Sequence, residues 1–138
     1  MSNEQKYIIL EIELDEKPMG GNLNLGRFGE DLAEKYLLSL GYKILEKNFR
    51  KRYTEIDIVA IDKGILVFIE VKTRIGDKFG NPRNSITPFK IRTLVRSANY
   101  YKLIHPEFPS SMRIDFVGVS LDGNYRLKDI ELIKNITL

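Results

Sequence analysis

The sequence predicts an α/β domain: a central mixed sheet flanked by helices, with an extra N-terminal strand. Three observations predict it. Residues 25–40 carry apolar side chains at helical spacing and stop at Gly41. Residues 55–72 read as two strands around a short polar link. A second helical stripe, from Pro88 to Ile104, then separates the third strand from a fourth, which calls for a parallel crossover.

In chain order, residues 6–14 place Ile8, Leu10, Ile12 and Leu14 on one face, as a strand added to a sheet edge or to a dimer contact. Residues 16–24, with Pro18 and Gly20-Gly21, form a linker, so the chain divides into an N-terminal strand and linker (1–23) and one domain (24–138). In the first helix Leu25, Phe28, Leu32, Ala33, Tyr36, Leu37 and Leu40 share a stripe, and Glu30 lies on its border. Residues 42–50 make a first strand that closes in the basic run Arg50-Lys51-Arg52. The hairpin strands, 55–61 and 65–72, turn at Lys63-Gly64. A loop over 75–84 contains Gly76, Gly80 and Pro82. Thr87 caps the second helix, Pro88 takes its first position, and Ile91, Leu94, Val95, Ala98 and Tyr101 form its buried stripe. His105 is a favourable charge at the helix end. Residues 112–119 are a strand in which Arg113 and Asp115 hold the sheet end together, and residues 125–138 add a weak final strand.

Composition excludes several chemistries. There is no cysteine and a single histidine, which rules out disulfides, thiol catalysis, cysteine zinc sites and histidine-rich metal sites. No segment approaches the ~20 apolar residues of a membrane span, and the acidic N-terminus lacks a signal-peptide pattern, so a cytoplasmic location is expected. The net charge of +3 is unevenly spread: residues 42–105 hold 14 Lys/Arg against 6 Asp/Glu. A basic middle suits a polyanion, although a solvated surface would look the same.

The hairpin carries the functional signal. With Lys63-Gly64 as the turn, Val59 faces Phe68, Asp57 faces Glu70 and Glu55 faces Lys72, all on one face. Ile56, Ile58 and Ala60 against Ile65, Val67, Ile69 and Val71 make the other face apolar. Directly opposed like charges destabilise a strand pair, so Asp57 and Glu70 call for a cation between them. A divalent ion with oxygen ligands supplies one. Lys72 would reach its water or a scissile phosphate. The plainer reading is cross-strand ion pairing, Glu55 with Lys72 especially, which leaves Asp57 against Glu70 unexplained.

This spacing of Asp57, Glu70 and Lys72 resembles the PD-(D/E)xK nuclease motif. More specifically, Gly26-Arg27-x-Gly29-Glu30-x-x-Ala33, Gly41-Tyr42, Asn48-Phe49-Arg50, Glu55-Ile56-Asp57, the run from Phe68 to Arg74, Phe79-Gly80, Lys90 and Arg113-Ile114-Asp115 resemble the YraN-type protein family. Thr54 stands where that family usually has glycine, and the proline of the nuclease motif name is absent. The resemblance implies a restriction-endonuclease-like α-β-β-β-α-β core, similar to that of Holliday-junction resolvases. It implies a Mg²⁺- or Mn²⁺-dependent endodeoxyribonuclease acting on structured or branched DNA. Asp57 and Glu70, with the Val71 carbonyl, would then ligate the metal, and Lys72 would orient or deprotonate the attacking water. Glu30 and Glu55 would serve a second metal or support the first. Arg50, Lys51, Arg52, Arg74, Arg83 and Lys90 are the candidates for phosphate contact, with solvated positions as the plainer reading. A resolvase would be a homodimer, since two symmetric cuts need two sites. The competing expectations are a non-catalytic nucleic-acid-binding module on the same fold and a protein-interaction partner without DNA affinity.

Overall fold

The structure, a computed structural model, describes residues 24–137. The expected N-terminal strand at 6–14 and most of the linker lie outside the described residues. Helix α1 (Leu25–Ser39) is followed by strands β1 (Lys43–Lys51), β2 (Thr54–Asp62) and β3 (Ile65–Ile75). A 3₁₀ turn (Pro82–Ser85), helix α2 (Pro88–Ile104) and strands β4 (Met112–Leu121) and β5 (Leu127–Ile133) complete the domain. Sequence order is sheet order, β1-β2-β3-β4-β5. All neighbours are antiparallel except β3 and β4, whose parallel ladder runs from Leu66–Met112 to Ile75–Leu121. The expected α/β architecture with one crossover through α2 is therefore present. No helix among the described residues is long and apolar enough to cross a membrane.

Local chemistry explains the boundaries. The Asn24 side chain accepts the Arg27 amide at the start of α1, and Thr87 does the same for Lys90 at the start of α2. Lys63 and Gly64 both have positive φ (50° and 78°), the two left-handed residues a type I′ hairpin turn needs. Where a glycine was expected before Glu55, Thr54 is an ordinary strand residue; the left-handed position of that turn falls on Arg52 (φ 57°).

The sheet is covered on both faces. Leu32, Ala33, Tyr36 and Leu37 of α1 pack on Ile58, Ala60, Val67, Ile69 and Val71. Leu94, Ala98 and Tyr101 of α2 pack on Phe49, Ile56, Val59, Leu66 and Phe68. Here the regular alternation expected for β2 fails. Ile56 belongs to the α2 side and Ile58 to the α1 side, although they are two residues apart. The paired strand flips with it. Lys47 bonds Asp31 and Glu34 of α1 at 2.8 and 3.4 Å, while the Phe49 ring meets Tyr101 of α2 edge-on at 4.9 Å. Between them Asn48 takes φ 55°, opposite Asp57. The β1–β2 hairpin thus rotates by one face at the Asn48–Asp57 level.

That rotation parts β2 from β3. Their ladder runs from Asp62–Ile65 to Ile58–Ile69, the register expected from the turn, and ends there. Asp57–Glu70 and Glu55–Lys72 would be the next facing pairs, but they are not part of the ladder. The far end of the sheet, by contrast, is tied by a buried network. Arg113 donates to Asp115 (2.8 Å) and Asp62 (2.8 Å), and Tyr42 donates its hydroxyl to Asp115 (2.9 Å). The Asn135 amide adds a fourth strut to Asp115 at 2.9 Å, which suits the structural role expected for Arg113 and Asp115.

Candidate functional site

Asp57 occupies the gap. Its neighbours face opposite sides of the sheet, so its own carboxylate reaches across the split and accepts the Val71 amide at 2.8 Å. That bond replaces the ladder bond the strands no longer make. Burial raises the Asp57 pKa and the Glu55 charge adds to it, while the Val71 amide and the Lys90 and Arg50 charges oppose. Glu70 lies on the α2 side, where the Lys90 ammonium meets it at 3.2 Å. Burial and the Asp57 charge push its pKa up to about 7 in spite of Lys90 and Lys72. Glu30 approaches from α1. Burial and Asp57 raise its pKa too, partly offset by a hydrogen bond with Asn48 and by the Lys47 and Arg50 charges.

The Asp57 charge is therefore felt by one acid on either side of the sheet, Glu70 and Glu30, and the three do not converge on a point. Among the described residues no group of three or more carboxylate or histidine side chains is arranged to hold one ion. What the site offers a cation is the Asp57–Glu70 pair. Two carboxylates are a sufficient protein share for Mg²⁺, which keeps several waters.

Glu30 sits between two clefts. One, of about 320 Å³, follows the free edge of β3 along Val71, Lys72, Thr73 and Arg74 and is closed by Leu25 and Gly26. The other, of about 410 Å³, is lined by Asn24, Gly26, Arg27, Asn48 and Arg50. Gly29 seats α1 closely on Thr73 in the wall of the first. A Cβ at that position would lie 2.8 Å from the Thr73 Cβ and overlap its hydroxyl. Rotating Thr73 would clear the hydroxyl but not the Cβ, so α1 would have to lift and carry Glu30 with it. Gly29→Ala is expected to cost about 1–3 kcal/mol despite better helix propensity. A thermal melt checks this, and a melting temperature equal to or above wild type would contradict the close-packing account.

The relatives can be placed beside this geometry. A family model described as "Uncharacterised protein family UPF0102" matches residues 29–119, from the glycine seated on Thr73 through most of β4. The chain belongs to that family. A UPF0102 protein of Syntrophomonas wolfei is 42% identical over 110 residues, covering 79% of this chain and 96% of its own length. Another from Thermodesulfovibrio yellowstonii is 46% identical over 99 residues, covering 71% and 87%. One from Clostridium botulinum is 44% identical over 120 residues, covering 83% and 94%. The matched UPF0102 region contains Glu30, Asp57, Glu70, Lys72 and Lys90.

The remaining residues singled out in the sequence are dispersed around this centre. Glu55 is turned to solvent, 73% exposed, and pairs with Arg50 at 3.6 Å across β1–β2 rather than with Lys72. Arg50, Lys51 and Arg52 are exposed at the β1–β2 tip. Arg74 is half-buried along the first cleft. Arg83, on the 3₁₀ turn, pairs with Glu131 of β5 at 3.6 Å. Lys90, a candidate for phosphate contact, pairs with Glu70 at 3.2 Å. Sequence reasoning missed Thr73, Asn48 and Arg27. A glycine inside a helix was the available signal for the first, and an asparagine inside a strand for the second, since both types favour backbone positions or approaches closed to other residues.

Proposed function

We propose that this chain is a metal-dependent endonuclease that hydrolyses DNA phosphodiester bonds where β2 and β3 part. One observation carries the reading. A five-stranded sheet is split at the single level where two acids face each other, leaving Asp57 and Glu70 half-buried with Lys72 and Lys90 beside them. Burial raises the pKa of both carboxylates and the Asp57 charge raises that of Glu70 further, so the pair is costly without a cation and fits a hard divalent ion.

Asp57 and Glu70, with the Val71 carbonyl, would hold Mg²⁺ or Mn²⁺, which would supply Lewis acidity toward phosphoryl oxygens and a lowered pKa for water. The chain's own groups do the rest. Lys72 orients the attacking water and neutralises charge developing on the phosphoryl oxygens. Lys90, which pairs with Glu70, is the cation nearest to hand for the phosphodiester. Glu30 accepts hydrogen bonds from the α1 side, and Glu55 supports Arg50. Arg50, Lys51, Arg52 and Arg74 hold the flanking phosphates, which position the strand without reading its sequence. Branched DNA cut by a homodimer is the finer form of this proposal and rests on the family resemblance; a cytoplasmic location is proposed with it.

The decisive test incubates wild type and Lys72→Ala with Mn²⁺ and duplex, flapped, single-stranded and four-way DNA. Cleavage is expected, with a loss of about 100-fold or more in the variant. Cleavage that is indifferent to Lys72 would remove it from the mechanism. A non-catalytic nucleic-acid-binding module is favoured by one observation, the Lys90–Glu70 ion pair, which already compensates one acid without a metal. Calorimetry separates the two: Mn²⁺ binding abolished by Glu70→Gln supports the nuclease, and no binding supports the module.

A further inference from the structure

The β1–β2 turn ends in an aromatic ring with no cover. Lys51 pairs with Thr54, so Arg52 and Tyr53 alone make the tip, and Tyr53 is 103% exposed. A lone exposed ring is unremarkable. This one is preceded by Arg50, Lys51 and Arg52, and it is four strand residues, about 13 Å, from Asp57. Two further exposed rings approach the same end of the sheet. Phe89 opens α2 immediately before Lys90, whose ammonium bonds Glu70 at 3.2 Å, and Phe89 is 71% exposed. Phe79, in the loop after β3, carries the Lys78 ammonium 5.6 Å from its ring centre. Aromatic faces interleaved with cations are what a protein presents to unpaired bases, since every base stacks and every phosphate needs a countercharge. Stacked duplex offers such rings only phosphates and sugar edges.

We infer that Tyr53 is a specificity-determining residue that stacks on an unpaired base about four steps from the cleaved bond, with Phe79 and Phe89 as further platforms. The substrate is then DNA with an unstacked stretch, not continuous duplex. The inference rests on the nucleic-acid reading above and narrows it. The 13 Å separation corresponds to about four base steps, so cleavage should fall within about that distance of a single-strand–duplex junction.

The test measures fluorescence anisotropy of labelled single-stranded, flapped and fully duplex DNA in Ca²⁺. It compares wild type, Tyr53→Ala, Tyr53→Phe and Leu103→Ala, the last removing an exposed apolar side chain at the other end of α2. Tyr53→Ala is expected to weaken single-stranded and flapped DNA by about tenfold, the share of one stacked base, and duplex by less than about twofold. Tyr53→Phe and Leu103→Ala should match wild type. Equal losses on all three DNAs, or no loss, would overturn the stacking role while leaving the nuclease reading intact. Failure of wild type to bind any of the three would overturn both. Tyr53 supports no core, so misfolding does not confuse the outcome.

Discussion

Arg113→Ala is expected to destabilise the domain by about 3–5 kcal/mol, a large part of the whole stability of a domain this size. The reason is what it leaves behind. Asp115 is fully buried and Asp62 is 6% exposed, and both take hydrogen bonds from this guanidinium. Removing it strands two carboxylates out of water, with Lys134, 3.5 Å from Asp62, as a partial substitute for one of them. Burial alone would raise the Asp62 pKa, but the Arg113 hydrogen bond and the Lys134 charge more than offset this and hold it below the ordinary value. That contribution is present above the unfolded carboxylate range and is lost as pH falls through the depressed native pKa. The gap between wild type and variant should therefore narrow toward strongly acid pH. Urea unfolding from pH 3 to pH 8 checks both points, and a variant as stable as wild type at pH 7 would show the network to be dispensable.

Glu70→Gln, by contrast, is expected to stabilise the metal-free protein at pH 8 by about 2–3 kcal/mol. Glu70 is 15% exposed, and its pKa is pushed up to about 7 by burial and by Asp57. A carboxylate with a raised native pKa costs nothing below its unfolded value near 4.5, where both states are protonated. As pH rises from there through 7, the native state must give up a proton it holds more tightly than the unfolded chain does, and stability falls. The amide removes that slope and still accepts from Lys90. Melts in EDTA between pH 5 and pH 8 should show wild type losing stability and the variant holding level. Added Mg²⁺ should raise the wild-type melting temperature and leave the variant unmoved. A variant less stable than wild type at pH 8 would mean that the Lys90 pair outweighs the repulsion. Loss of activity joined to gain of stability is the usual signature of a site built under strain.

Much of this was legible before any coordinates. The helix stripes, the Thr87 cap, the Lys63-Gly64 turn, the β2–β3 register and the parallel crossover follow from periodicity and turn chemistry, which act over a few residues. The closeness of Asp57 and Glu70 followed from that register. The split did not. Strict alternation placed Ile56 beside Ile58, and the one-face rotation at Asn48 and Asp57 is set by how α1 and α2 seat on the two faces. Only an asparagine inside a strand hinted at it, and the structure gives that Asn48 a left-handed φ. Ion pairs such as Lys90–Glu70 and Arg83–Glu131 join residues 20 and 48 positions apart, and no local pattern announces them.

The Val71 amide held by Asp57 has a practical corollary. One oxygen of that carboxylate is already spent as a clasp between two halves of the sheet, so a ligand can claim only what is left of it. Truncating Asp57 would unfasten the β1–β2 prong as well as disarm the chemistry, and a dead Asp57→Ala protein would say little about which happened. Asparagine keeps the clasp and withdraws the charge, which makes it the informative replacement.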